Sequence, residues 1–152
     1  MTTKMDVDNL EKYAGQIRAA LPPNKQGEVF KLATEAGYLT ALADGTEDEE
    51  ERSALVESLE TLSHGLVLEW EIEDVIQDTW GRVQAEGAES VGKSIGVKLK
   101  ELDAIEAGLF VAAIVALTTS GLDKTEAEML QTIGTAAGLA NSKIGEIVKR
   151  AR

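Results

Sequence analysis

The sequence contains no cysteine and only one histidine, His64, among its 152 residues. The absence of thiols excludes disulfides, thiolate metal sites and thiol redox chemistry. A single imidazole likewise excludes a zinc site built from several histidines. No motif in the chain supplies a nucleophile, a histidine and a carboxylate as a catalytic set, so we predict that the protein is not an enzyme.

Long apolar runs are also missing. The longest, residues 108–117, has about half of the ~20 residues that a membrane span needs. The N-terminal residues 1–15 have no apolar stretch of the kind found in signal peptides. We therefore expect a cytoplasmic protein without a membrane span, and peripheral membrane association stays open.

Basic residues are scarce in one stretch of the chain. The formal net charge is −12, from 27 acidic and 15 basic residues. Residues 44–78 contain thirteen acids and one base, Arg52, so this stretch alone carries −12, and the other fourteen acids and fourteen bases cancel. Such a field repels phosphates and attracts cations and basic proteins. We therefore expect no nucleic-acid partner, and a basic protein is a candidate partner.

Eight segments show apolar residues at helical spacing, and none shows the strict alternation of a strand. These patterns predict an all-α, single-domain bundle of seven or eight short helices over residues 1–152, with an N-terminal helix and link in 1–25. The sixth helix, over 103–118, is apolar on nearly all sides, which predicts that it is the central buried helix. Asp103 and Glu106 at its start have the spacing of a capping box.

The two tryptophans lie ten residues apart on the fourth predicted helix, over 70–84. Trp80 continues a stripe formed by Ile72 and Ile76, so we expect it in the core. Trp70 points about 80° away from Trp80, because each residue turns a helix by about 100°. We expect Trp70 at the rim of an interface.

Residues 87–94, GAESVGKS, match the pattern G-x-x-x-x-G-K-[ST] of a phosphate-binding loop. Such a loop works between a buried strand and a helix, and its glycines let backbone amides surround the phosphates. Here the preceding residues have a polar, helical pattern, and Glu86 and Glu89 would repel phosphate. We interpret the segment as a link between two helices with Ser90 as the N-cap. Nucleotide binding is kept as the less favoured alternative.

The chain contains an internal repeat at an offset of 75 residues. ALADGTEDEEERSAL, residues 41–55, aligns with ALTTSGLDKTEAEML, residues 116–130, with Ala, Leu, Asp, Glu and Leu at matching positions. In each copy an apolar helix ends, a glycine permits a turn, and a helix with acidic first residues begins. The pattern predicts two related helix–acidic turn–helix units around 29–62 and 104–138.

The stretch ALADGTEDEEERSALVESL, residues 41–59, resembles the signature of the TerB-like family, which is known from tellurite-resistance operons. The resemblance covers residues 29–152 and rests on Ala-Asp-Gly with a glutamate six residues after the glycine. The second copy departs from it, with Thr119 and Ser120 in place of the aspartate and glycine. The resemblance implies an all-helical fold of this size, a stress-response role, and an acidic surface suited to a metal.

The turn in the first copy holds six acids in eight positions. Asp44, Asp48 and Glu51 are the candidate core ligands of a cation. Asp44 closes the preceding helix, and the other two share one face of the next helix. Glu47 and Glu50 are second choices. Because all these ligands are hard oxygens, calcium or magnesium is the expected metal.

Two other interpretations of the same acids stay open. A docking surface for a basic protein would use the same charge without a metal. Acids in the first turn of a helix are also stabilised by the helix dipole, by roughly 0.3–1 kcal/mol each, without any ligand. Asp123 and Glu126 form a weaker mirror site, because the first acid is missing there. The oligomeric state stays open, a homodimer included.

Overall fold

The structure is a computed structural model that describes residues 7–42, 49–119 and 124–151. Within these ranges the chain forms eight helices and no strand, so the prediction of an all-α bundle is confirmed. None of these helices is long and apolar enough to cross a membrane. The helices are α1 (Val7–Ala20), α2 (Pro23–Leu42), α3 (Glu49–Ser63), α4 (Glu69–Glu86), α5 (Ala88–Glu101), α6 (Ile105–Thr119), α7 (Lys124–Ala136) and α8 (Asn141–Ala151).

The first two helices meet at a pair of prolines. The amide of Leu21 donates to the carbonyl of Ile17 at 3.1 Å and closes the last turn of α1. Pro23 is the first residue of α2, where the fixed φ of proline suits the helix and its missing N–H has no helical partner to lose. The Gln26 side chain donates to the carbonyl of Leu21 at 3.1 Å across the corner. The proline pair therefore ends one helix and starts the next.

Helix α6 lies at the centre of the bundle. All residues from 108 to 117 are buried, and the helix packs against α1, α2, α3, α5, α7 and α8. Its approach to α2 is close, since a Cβ added at Gly37 would lie 2.7 Å from Cγ1 of Val115. A helix covered on all sides must be apolar on all sides, so the predicted central position of α6 is confirmed.

A second close packing joins α5 to α7. Gly92 and Gly96 lie one turn apart on α5, and both are buried. A Cβ at Gly96 would overlap the carbonyl oxygen of Ile133, and one at Gly92 would lie 3.1 Å from the sulfur of Met129. These glycines therefore allow the two helix backbones to approach each other.

Matched positions of the internal repeat have matched environments. Leu55 and Leu130 are 2% and 0% exposed. Glu126 is fully buried, and one carboxylate oxygen of its counterpart Glu51 is shielded from solvent. Leu55 and Leu130 therefore face the core alike, whereas Glu51 is less buried than Glu126.

The predicted core position of Trp80 is wrong. This residue is 47% exposed, because the buried stripe of α4 continues from Ile76 to Thr79 and Val83 instead. Thr79 is fully buried, and its hydroxyl donates to the carbonyl of Val75 at 2.8 Å. That bond satisfies the polar group inside the core.

The predicted capping box at Asp103 is also wrong. Asp103 has a φ of 54°, in the left-handed region that aspartate tolerates, whereas an N-cap residue has an extended conformation. Its amide and that of Ala104 donate to the carbonyls of Lys100 and Leu99, both at 3.0 Å. Asp103 therefore ends α5, and α6 begins two residues later.

Candidate functional site

The acidic turn expected to bind a cation is only partly covered by the structure. Asp44, Glu47 and Asp48 lie outside the described residues. Glu50 is exposed in the first turn of α3, whereas Glu51 is half-buried with one carboxylate oxygen shielded from solvent. Among the residues that the structure describes, no three His, Cys, Asp or Glu side chains form a metal-binding group. The cation site stays a prediction.

The structure also describes only part of the acidic turn in the second copy of the repeat. Asp123 lies outside the described residues. Glu126 is 0% exposed and lies in the first turn of α7, where the positive end of the helix dipole stabilises a carboxylate. The Glu126 carboxylate is therefore closed to solvent.

A short turn places α4 beside α3. His64 is exposed with a φ of 52°, and the amide of Gly65 donates to the carbonyl of Glu60 at 3.0 Å. This bond ends α3 in a left-handed turn. The Glu71 carboxylate accepts a hydrogen bond from the amide of Leu68 at 3.2 Å and caps the start of α4. The single histidine of the chain therefore lies at a helix end.

The one basic residue of the acidic stretch joins α3 to α4. Both Nε and Nη2 of Arg52 donate to Oε2 of Glu73, the first at 2.9 Å. From α2, Nζ of Lys31 lies 3.8 Å from Oε2 of Glu71. These contacts hold α4 against its neighbours and neutralise two of its acids.

A second ion pair joins α4 to α2 farther along. The guanidinium of Arg82 pairs with the carboxylate of Glu35, which is 9% exposed. Nε of Arg82 also lies 3.4 Å from Oδ2 of Asp78, one turn earlier on α4. Lys31, Arg52 and Arg82 therefore each form an ion pair between two helices.

A surplus of acids remains on α3 and α4 after these pairs are made. The surplus acids are exposed, and none forms an ion pair with another residue in 7–42, 49–119 or 124–151. They are Glu49, Glu50, Glu57, Glu69 and Asp74. The acidic stretch therefore presents an uncompensated negative surface to solvent.

Both tryptophans lie on the solvent side of α4 within this surface. Trp70 is 68% exposed and Trp80 is 47% exposed, so Trp70 has the exposure expected of a rim residue. We define the α4 face as the exposed strip made of Trp70, Glu73, Asp74, Gln77 and Trp80. The turn before α4 adds two exposed leucines, Leu66 and Leu68. Trp70 and the surplus acids Glu69 and Asp74 line one groove, so an exposed indole and exposed carboxylates share that surface.

Two shallow grooves run along the α4 face. One groove is lined by Glu69, Trp70, Glu73, Asp74 and Gln77. The other lies between α2 and α4 and is lined by Lys31, Glu35, Asp74, Val75, Gln77 and Asp78. Asp74 and Gln77 line both grooves.

The residues that match the phosphate-loop pattern are helical. Gly87, with a φ of 91°, is the single residue between α4 and α5, and residues 88–94 belong to α5. A phosphate loop needs irregular backbone whose amides converge on the ligand. The second glycine of the pattern, Gly92, instead serves the packing of α5 on α7.

Lys93 and Ser90 of the same segment each have a partner one helical turn away. Nζ of Lys93 lies 3.5 Å from Oε1 of Glu89 on the exposed side of α5. Ser90 lies inside α5, and its hydroxyl is 3.3 Å from Oε1 of Glu86. The predicted role of Ser90 as N-cap is therefore wrong, because Gly87 occupies that position.

Sequence reasoning missed the α4 face because it assigned Trp80 to the core. A signal was nevertheless present. Trp70, Asp74 and Gln77 follow the i, i+4, i+7 spacing of one helical face, about opposite to Ile72 and Ile76. A tryptophan within a polar stripe is typical of a protein–protein interface.

Comparison of the chain with protein-family models, with curated proteins and with solved structures finds no match in any of the three. The function is therefore inferred from the residues and their arrangement. The TerB-like resemblance stays a hypothesis that rests on residues 41–59.

Proposed function

We propose that the protein is a non-enzymatic binding protein that docks a basic protein partner on its acidic α3–α4 surface. The observation that carries this proposal is the group of exposed acids on α3 and α4 beside the two exposed tryptophans. Like charges at helical spacing repel by a few tenths of a kcal/mol per pair. A cationic partner removes that repulsion and gains from the apolar contact area.

The role that we propose is a stress-response component of the TerB-like type. The repeated helix–acidic turn–helix unit and the all-helical bundle support this assignment. The sequence offers no thiol that could reduce an oxyanion directly. We therefore expect the protein to act by recruiting or restraining a partner.

A binding experiment with synthetic peptides tests the proposal. Cationic, neutral and anionic peptides of equal length would be titrated into the protein at low and high salt. We expect the cationic peptide alone to bind, and its affinity to fall steeply with salt, because the screening length shrinks from ~10 Å at 0.1 M to ~3 Å at 1 M.

A matched pair of variants locates the binding surface. Glu50→Gln with Glu69→Gln removes two surplus acids from α3 and α4. Glu101→Gln with Glu128→Gln removes two exposed acids from α5 and α7 and leaves the net charge the same as in the first variant. We expect only the first variant to weaken binding. Equal weakening in both would mean that the overall charge, and not this surface, attracts the peptide.

A further inference from the structure

The α4 face contains both tryptophans of the chain. Trp70 and Trp80 are ten residues apart on one helix, so the rise of about 1.5 Å per residue separates them by about 15 Å along the axis. Both are exposed, although tryptophan is normally well buried in a domain of this size. Two exposed indoles on one helix therefore form a two-point contact surface.

Acidic groups lie beside Trp70, whose groove is lined by Glu69, Glu73 and Asp74. Asp74 lies one turn after Trp70 and forms no ion pair with any residue in the described part of the chain. Glu73 is held on the same strip by Arg52. The face of an indole ring attracts cations through its quadrupole, and an adjacent carboxylate attracts them further. A neutral apolar partner would leave these carboxylates desolvated without compensation.

Arginine fits this combination better than lysine does. Its planar guanidinium stacks on an indole while its N–H groups still donate to a carboxylate. Lysine offers a compact ammonium that is more strongly hydrated. A separation of about 15 Å is close to the span of four residues of an extended chain, at about 3.3 Å per residue, and that even spacing keeps both side chains on one face.

We infer that the α4 face is a docking site for an arginine-bearing protein segment, with one guanidinium on Trp70 beside the Asp74 carboxylate and a second on Trp80. The inference rests on the proposed function, since it names the chemistry of the basic partner. The partner is an extended segment with two arginines four positions apart, because side chains at even spacing lie on the same side of an extended chain. Charge complementarity with the strip selects this occupant over a second copy of the acidic chain or an anionic membrane.

Tryptophan fluorescence gives a direct measurement, because both indoles of the protein lie in the site. The probe is a flexible peptide with two arginines four positions apart. Control peptides replace both arginines with lysine or with glutamine. We expect the arginine peptide to change the emission, the lysine peptide to bind about threefold to tenfold more weakly, and the glutamine peptide to cause no change.

Variants separate the contribution of each indole. We expect Trp70→Ala and Trp80→Ala each to weaken the arginine peptide by about fivefold to tenfold, measured by calorimetry, with the phenylalanine variants in between. Val97→Ala on α5 truncates an apolar side chain as exposed as Trp80 and should leave the affinity unchanged. Circular dichroism checks the helical content of each variant, which exposed substitutions should preserve.

Three outcomes would overturn the inference. If the tryptophan variants bind the arginine peptide as tightly as wild type, but Glu50→Gln with Glu69→Gln binds more weakly, the α4 indoles are not the contact and the proposed function survives. If no cationic peptide binds wild type, both proposals fail. A third outcome is that the emission changes with protein concentration and not with added peptide. If sedimentation then shows dimers that the tryptophan variants do not form, the α4 face is a contact between two copies of the chain.

Discussion

The guanidinium of Arg82 on α4 pairs with the carboxylate of Glu35 on α2, and both side chains are largely shielded from solvent. The pair lies beside the groove between the two helices. It fixes the position of α4, and so of its exposed face, relative to the core. Because both charges have lost most of their hydration, each depends on the other.

Replacing one member of this pair should lower the free energy of unfolding more than replacing both. We expect Arg82→Met to destabilise the fold by about 2–3 kcal/mol. This is below the ~3–5 kcal/mol of a fully buried pair, because Arg82 keeps some exposure. The double variant with Glu35→Met should recover most of that loss. Urea denaturation followed by circular dichroism measures both, and additive losses would show that the two side chains do not interact.

A glycine in the α5–α7 contact and an exposed glycine of α8 should respond in opposite ways to substitution by alanine. Gly96→Ala places a Cβ on the carbonyl oxygen of Ile133, and we expect a loss of about 1–3 kcal/mol from overpacking. Gly145→Ala in α8 meets no atom within 4 Å and should stabilise the helix by roughly 0.5–1 kcal/mol. Thermal melting compares the two. A Gly96→Ala protein that melts at or above the wild-type temperature would contradict the close packing.

The central position of α6 predicts a further difference between two identical substitutions. Ala112 is 0% exposed, so Ala112→Leu should overpack the centre and cost about 1–3 kcal/mol. Ala85→Leu adds the same atoms on the exposed side of α4 and should change stability by less than about 0.5 kcal/mol. Equal melting temperatures for both variants would place α6 at the periphery.

The cation hypothesis predicts a stabilisation that depends on the acidic turn. If calcium or magnesium binds through Asp44, Asp48 and Glu51, millimolar metal should raise the melting temperature. A concentration of a hundred times the dissociation constant contributes about 2.7 kcal/mol. Asp44→Asn with Asp48→Asn should lose this shift, whereas Glu128→Gln should keep it. Equal shifts in all three proteins would place the metal elsewhere, and no shift in wild type would reject the site.

The helical class and the central helix could be predicted from the sequence. The spacing of apolar residues along one segment is a local signal, and it matches the side chains that the bundle buries. The position of Trp80 could not. Hydrophobicity favoured it as the next residue after Ile76 in the stripe, but Thr79 occupies the core. A threonine can be buried when its hydroxyl bonds the helix backbone, as Thr79 does. The choice between these two residues depends on neighbouring helices, which one segment does not reveal.

The glycines of residues 87–94 show a related limit. Their spacing matches a loop that binds phosphate, and it equally suits two helices that approach closely. Gly92 belongs to the second arrangement together with Gly96, which lies outside the pattern. The candidate cation turn is the opposite case, since the sequence predicted its residues and three of them lie outside the described part of the structure.

The place of α6 in the chain has a consequence for synthesis. Because α6 begins at Ile105, about two thirds of the chain leaves the ribosome before the helix at the centre of the core does. Translation proceeds at about 5–20 residues per second. The apolar sides of α2 and α3 are therefore synthesised several seconds before α6, the helix on which they pack. A nascent chain that has reached only α4 therefore exposes the kind of surface that chaperones bind.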